Sequence, residues 1–136
     1  MANFAEGNLG YEALLKSHPN LKEFLPFLQI HNAESPRGAV LVSASFIESQ
    51  LHNVLAAFLI ENKASDQILD GFNAPAGTFS AKIAFNAALG LISEKERREC
   101  DLIRRIRNKF AHSVHASFDD DAIANICFEL NMRAKR

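Results

Sequence analysis

Residues 38–62, whose sequence is GAVLVSASFIESQLHNVLAAFLIEN, decide the fold class that we expect for this chain. Apolar side chains recur here at alternating spacings of three and four residues, which places them on one face of an α-helix. That face contains Leu41, Ala44, Glu48, Leu51, Leu55 and Phe58, and a neighbouring stripe contains Val40, Ile47, Val54 and Ala57. A helix that is apolar over much of its circumference is covered by other helices. The stretch therefore predicts one long hydrophobic helix at the centre of a bundle.

The same stretch is long enough to cross a bilayer, but its composition argues against a membrane protein. It carries polar side chains that would be costly in lipid, namely Ser43, Ser45, Glu48, Ser49, Gln50, His52 and Asn53. No secretory signal is visible, and Cys100 and Cys127 stand apart with no CxxC pairing. A reduced, cytoplasmic setting is the simplest interpretation, and both thiols are then expected to serve as small core side chains.

Turn and capping residues place the other helices. Before the central helix, Pro19 separates two short helices near Leu9–Ser17 and Asn20–His31, and Pro26 is expected to bend or shorten the second.

Three further helices are predicted after the central one. The first is expected to end at Gly90, because glycine readily takes the left-handed conformation that closes a helix. Ser93 and Glu96 have the spacing of a capping box, which starts a second helix over residues 94–112. The acidic run 119–121 opens the last helix, where negative charge suits the helix dipole.

The predicted fold class is all-α, since no stretch shows the alternation of a β-strand. We expect a compact bundle of five to six helices around the long hydrophobic helix. Residues 1–136 are expected to form a single helical domain, with short helices in 1–35 and the core bundle in 38–133. We also expect a homodimer.

The charge pattern excludes a broadly basic nucleic-acid-binding protein. The net charge is −1, so any binding to nucleic acid or anionic lipid would have to be local. In the 94–112 helix, Arg97, Arg98, Arg104, Arg105, Arg107 and Lys109 are interleaved with Glu94, Glu96, Glu99 and Asp101. This pattern favours a solvated face of mixed charge, and no helix-turn-helix pair can be recognised. Direct DNA binding is therefore not expected.

The segment Arg107–His112, with the sequence RNKFAH, is the strongest candidate for a functional site. Asn108 and His112 are four residues apart and share a helix face, while Arg107 lies roughly 100° round the helix from Asn108. The three polar groups are expected to converge at one edge near the end of the helix. A guanidinium can neutralise a pentacoordinate phosphate and an imidazole can move a proton, so the group suits metal-independent phosphate chemistry.

The same residues also admit a purely structural interpretation. An imidazolium near a helix C-terminus is stabilised by the dipole. Arg107 can pair with Glu48, the carboxylate in the apolar face of the long helix, which needs a partner if it is buried. His112 and His115, with residues 119–121 nearby, do not match a zinc pattern. We therefore expect no metal and no other cofactor.

The order of Arg107, Asn108, three further residues and His112 on a late helix of a short all-α bundle resembles the motif of the HEPN superfamily. That superfamily includes metal-independent endoribonucleases and toxins, and members that bind nucleotides or partners without cutting. The resemblance implies that Arg107 matches its arginine, Asn108 its polar follower and His112 its histidine. It also implies that two protomers bring these groups together across a dimer interface.

A longer resemblance covers roughly residues 37–123 and points to the mannitol operon repressor family. The segments that carry it are Arg37-Gly38-Ala39-Val40-Leu41-Val42, Phe46-Ile47-Glu48, Gly77-Thr78-Phe79-Ser80-Ala81-Lys82, Ala88-Leu89-Gly90-Leu91-Ile92, Arg105-Ile106-Arg107-Asn108-Lys109-Phe110-Ala111-His112 and Phe118-Asp119-Asp120. That family is all-helical and is described as bacterial transcription regulators. The resemblance implies a transcription regulator. Since no DNA-reading helix pair can be recognised, we expect such a regulator to have another regulatory protein as its partner.

Two hypotheses about function follow from these observations. The first is a non-catalytic regulator that acts through protein contacts. The second is a HEPN-type endoribonuclease acting on RNA, a toxin or defence-like enzyme in which Arg107 stabilises the phosphate, His112 does acid–base work and Asn108 orients one of them. We favour the first, because the longer resemblance points to it and the chain has no broad positive surface to hold RNA.

Overall fold

The computed structural model describes residues 9–132, and within that range the chain forms seven α-helices and no β-strand. The helices are α1 (Leu9–Ser17), α2 (Leu21–Ala33), α3 (Pro36–Phe58), α4 (Lys63–Leu69), α5 (Phe79–Ala88), α6 (Glu94–His112) and α7 (Asp121–Glu129). The all-α class predicted from the sequence is confirmed. None of the helices in residues 9–132 is long and apolar enough to span a bilayer.

The chain divides between Glu34 and Ser35 into two compact units. In the described part of the first unit, α2 continues through Pro26, so the proline does not end that helix. No residue of α2 is buried. The prediction of one domain over residues 1–136 also covers residues outside 9–132, and it stays a prediction.

The second unit is built around α3 and α6. Helix α3 packs against α5 and α6, and α6 also packs against α5 and α7. Three clusters of buried apolar side chains fill the interior: Ala44, Leu51, Phe79 and Ile83; Leu55, Leu69 and Ala76; and Leu102, Ile106, Phe110, Ile123 and Ile126. The long hydrophobic helix contributes to the first two clusters, and α6 and α7 form the third.

The buried line of α3 is narrower than the sequence pattern predicted. Ala44, Leu51 and Leu55 are buried, whereas Val54 and Phe58 are 41% and 54% exposed. At about 100° per residue, Val54 lies roughly 80° round the helix from the middle of the buried line. Phe58 is the last residue of the helix. The expectation that this helix is covered over much of its circumference is therefore wrong at its C-terminal end, where Val54 points away from the buried line and Phe58 lies at the last position of the helix.

Residues 9–132 contain seven helices, whereas five to six were expected, and α4 is the helix that was not predicted. The long helix was predicted to reach Asn62, but it ends at Phe58. Asn62 is instead the N-cap of α4, and its side chain accepts a hydrogen bond of 2.9 Å from the backbone N–H of Ser65. An asparagine oxygen in this position satisfies one of the free amides at a helix start, which explains why a new helix begins here.

Two buried polar side chains of α5 tie the second unit together. Asn86 Nδ2 donates to the carbonyl oxygen of Leu51 in α3 over 3.1 Å. Lys82 Nζ donates to the carbonyl oxygens of Ala76 and Gly77, over 2.9 and 3.1 Å. The bonds from Lys82 supply partners for two carbonyl oxygens of the loop before α5, and the bond from Asn86 links α5 to α3.

Candidate functional site

Helix α6 carries the candidate site, and it begins with a complete capping box. Ser93 Oγ accepts a hydrogen bond from the N–H of Glu96 (3.1 Å), and the N–H of Ser93 donates to Glu96 Oε2 (2.7 Å). The bonds from Ser93 lower the pKa of the Glu96 carboxyl, because they favour its charged form. The helix spans Glu94–His112, so the predicted start and end are both confirmed.

Arginines in the first half of α6 are paired with carboxylates. Arg97 contacts Glu94 and also lies 2.7 Å from Asp101. Arg98 lies 3.8 Å from Glu129 in α7. The hydrogen bond from Arg97 lowers the pKa of the Glu94 carboxyl. The mixed charge that the sequence predicted for this helix is thus present in its first half as pairs of opposite charge.

Arg107 and Asn108 are joined directly. Arg107 Nε donates to Asn108 Oδ1 over 2.9 Å. The guanidinium carbon of Arg107 also lies 5.4 Å from the centre of the Phe79 ring, and the negative face of an aromatic ring attracts a cation. Both Arg107 and Asn108 are half-buried. The guanidinium is thus oriented by an amide and by a ring.

Asn108 and His112 line a cleft of about 360 Å³ between the end of α6 and the start of α7. The other lining residues are Lys109, Ser113, Ala116, Asp120, Ala122 and Ile123. His112 is exposed, and no hydrogen bond or ion pair within residues 9–132 holds its imidazole. Arg107 is not among the lining residues. Arg107 is therefore hydrogen-bonded to Asn108, and Asn108 lines the same cleft as His112. The three groups do not all line this cleft.

Glu48 does not join this group. Its side chain is half-buried in α3, and no hydrogen bond or ion pair between described residues connects it with Arg107 or His112. The pairing with Arg107 that the structural interpretation predicted is not formed, because Arg107 lies against Asn108 and Phe79 instead. A carboxylate that is only half-buried keeps part of its hydration and does not require an ionic partner.

Arg37 is a residue of this site that the sequence analysis did not single out. From the first turn of α3 it reaches the end of α6, where Nη1 donates to the carbonyl oxygen of Phe110. Its Nη2 donates to the carbonyl oxygens of Ser113 and Val114, over 2.8 and 2.7 Å. The sequence does contain a signal for it. A cation in the first turn of a helix is disfavoured by the dipole, so an arginine at this position points to a contact elsewhere.

Both cysteines are free and half-buried. Cys127 packs against the cluster that contains Phe110, and Cys100 packs against the cluster that contains Phe79. Burial raises the pKa of both thiols, and neighbouring carboxylates raise that of Cys100 further. A raised pKa leaves little thiolate at neutral pH, so these residues behave as the small core side chains that were predicted.

The histidines and carboxylates that follow α6 do not assemble into a metal site in the part of the chain that the structure describes. No group of three or more His, Cys, Asp or Glu side chains between residues 9 and 132 is placed to hold a metal ion. His115 is exposed on the loop after α6, and Asp120 serves as the N-cap residue of α7.

No protein-family model matches this chain, and no curated protein or solved structure matches it either. The resemblances to the mannitol operon repressor family and to the HEPN superfamily therefore rest on the quoted residues alone.

Proposed function

We propose that this chain is a bacterial transcription regulator resembling the mannitol operon repressor family, and that it acts through contact with another protein, without catalysis. The observation that carries the proposal is that three of the five α6 arginines lie near carboxylates: Arg97 and Arg104 lie within 2.7 and 3.6 Å of Asp101, and Arg98 lies 3.8 Å from Glu129. Arginines held in this way do not form the free basic stripe that a DNA-binding helix needs. The proposal places the protein in the cytoplasm as a homodimer.

The proposed contact surface is the loop 113–120 together with the cleft that His112 lines. Val114 is 86% exposed and Phe118 is 44% exposed on this loop. Exposed apolar surface with a polar rim is typical of surfaces that bind another protein, and the cleft beside this loop is lined by polar residues that include Asn108, His112 and Asp120. Covering Val114 and Phe118 would remove apolar area from water, which favours association.

A capture experiment with a matched control tests this proposal. The tagged chain and its Val114→Asp and Phe72→Asp variants would be used to recover partners from a host extract. Phe72 is 98% exposed in the loop between α4 and α5, so both variants place a carboxylate at an exposed apolar position. We expect Val114→Asp to lose a partner that the wild type and Phe72→Asp both retain. Recovery of the same partner by all three would exclude this surface. No partner for the wild type, with no transcript changed after deletion, would exclude the regulator.

The hydrogen bond between Arg107 and Asn108 favours a second candidate function, a metal-independent endoribonuclease of HEPN type. In this reaction the ribose 2′-oxygen attacks the adjacent phosphorus, and the bond from phosphorus to the 5′-oxygen breaks. The imidazole of His112 takes the 2′-hydroxyl proton while water protonates the leaving 5′-oxygen, or it protonates the 5′-oxygen while water takes the 2′-hydroxyl proton. The guanidinium of Arg107, oriented by Asn108, stabilises the charge of the pentacoordinate phosphate. The products are a 2′,3′-cyclic phosphate and a 5′-hydroxyl.

Cleavage of mixed RNA in EDTA separates the two functions. His112→Ala and Arg107→Ala would be compared with His115→Ala and Arg105→Ala, since His115 and Arg105 are exposed residues of the same types nearby. For a nuclease we expect cleavage that the first two variants lose and the other two keep, with all four folded by circular dichroism. If the wild-type protein leaves the RNA intact, the nuclease function is excluded and the regulator function is retained.

A further inference from the structure

The C-terminal end of α6 is closed differently from the ends of the other helices of the second unit. The C-cap residues of α3, α4, α5 and α7 each donate their backbone N–H to a carbonyl oxygen of their own helix. For the C-cap residue Ser113 of α6, no such bond is present in the described part of the chain. The last carbonyl oxygens of a helix need partners from outside when the chain does not supply them.

Arg37 supplies such a partner to Phe110 and also binds two carbonyl oxygens just after the helix. Its Nη1 donates to the carbonyl oxygen of Phe110, and its Nη2 donates to those of Ser113 and Val114. The guanidinium carbon also lies 6.0 Å from the centre of the Phe110 ring. A planar guanidinium with two terminal nitrogens can hold several oxygens at fixed angles, which a single ammonium cannot do as well.

These contacts fall on both sides of His112. Phe110 precedes it by two residues, and Ser113 and Val114 follow it directly. Ala116, in the same segment, lines both the cleft beside His112 and a second cavity of about 370 Å³ that Arg37 and Phe110 line. The conformation of residues 110–116 therefore shapes the cleft, and Arg37 holds that segment.

We propose that Arg37 is a positioning residue: by holding the backbone before and after His112, it sets the direction in which the imidazole faces the cleft beside Asn108. His112 has no hydrogen bond within residues 9–132 that could orient its ring independently. The inference does not depend on the function proposed above, because the same orientation serves a protein contact and a catalytic histidine.

The test compares Arg37→Ala and Arg37→Lys with Arg98→Ala in the full chain. Arg98 is a matched control, because its Nη1 donates to the carbonyl oxygen of Glu129 and so holds the end of α7 in a similar way. Amide hydrogen exchange of residues 110–116 and the ring-proton NMR signals of His112 would be measured. The His112 signals would be assigned by their loss in His112→Gln.

With Arg37→Ala we expect amide exchange of the last helical residues, 110–112, to rise about tenfold or more, and the His112 signals to shift. Arg37→Lys should give a smaller change of the same kind, and Arg98→Ala should leave both readouts as in the wild type. Protection of the Leu55 and Leu69 amides serves as the check on overall folding. If Arg37→Ala loses that protection, the variant is unfolded, and the proposal is then tested with Arg37→Lys by the same two readouts. Wild-type exchange and wild-type His112 signals in the folded variant would overturn the proposal.

Discussion

Phe110 contacts three parts of the second unit: the apolar cluster between α6 and α7, the loop after α6, and the first turn of α3. Its side chain is 1% exposed in the cluster between α6 and α7. Its ring centre lies 5.0 Å from that of Phe118, and its carbonyl oxygen accepts a hydrogen bond from Arg37. Its two partners lie in another helix and in a loop, so the periodicity of α6 could not predict them.

We expect Phe110→Ala to destabilise the protein by about 3–5 kcal/mol, because it removes a buried ring and leaves a cavity. The free energy of unfolding would be measured by urea denaturation. Phe72→Ala is the control, since Phe72 is 98% exposed, and it should change that free energy by less than about 0.5 kcal/mol. A similar effect of both substitutions would mean that α6 does not pack as described.

Lys82 is a buried cation whose ammonium binds two carbonyl oxygens in the loop before α5. Lys82→Met keeps most of the apolar stem but leaves the carbonyl oxygens of Ala76 and Gly77 without this donor. We expect a loss of about 1–3 kcal/mol in the free energy of unfolding. Lys95→Met, at an exposed position of α6, should be close to neutral. Equal stability of both variants would show that the two bonds contribute nothing net.

At the scale of elements, the ends of α5 and α6 follow the capping residues in the sequence. Thr78 caps α5 by accepting a hydrogen bond of 3.1 Å from the N–H of Ala81. Gly90, just after that helix, has φ +72°, a conformation that strains residues with a side chain. These local devices explain why the end of α5 and both limits of α6 could be predicted. The end of α3 was predicted too late, because Asn62 was assigned to the long helix when it caps the next one.

Ser93→Ala should cost about 1 kcal/mol of stability, since it removes the oxygen that caps α6. The capping box also predicts a dependence on pH. The pKa of the Glu96 carboxyl is lower in the folded protein than in the unfolded chain, so its contribution is present in full at neutral pH. That contribution is lost as the pH falls through the lowered pKa.

The stability difference between the wild type and Glu96→Ala should therefore shrink on acidification. Urea denaturation at several pH values between neutral and strongly acidic measures it. Lys95→Ala, at the neighbouring position, is the control and should show a difference that does not follow the titration of a carboxyl group. A Glu96→Ala difference that stays constant over this range would contradict the role of the charged carboxylate.

At the scale of the whole molecule, the chain divides between Glu34 and Ser35 into two units. The three apolar clusters all lie in the second unit, whereas α2 buries no residue. Helices as short as α1 and α2 are marginal without a buried face. We expect residues 35–136 alone to unfold cooperatively, with amide protection in α5 and α6 equal to that in the full chain. Loss of this protection in the fragment would show that residues 1–34 are part of one folding unit.

The sequence by itself determined the all-α class, the existence and limits of α6, and the choice of Arg107, Asn108 and His112 as candidates. Helix periodicity and capping act between residues a few positions apart, so they can be read along the chain. Only the tertiary structure decided that Arg107 lies against Phe79 and not beside Glu48, and that Arg37 holds the end of α6. These contacts join residues that are 28 and 73 positions apart, and the packing of α3, α5 and α6 brings them together.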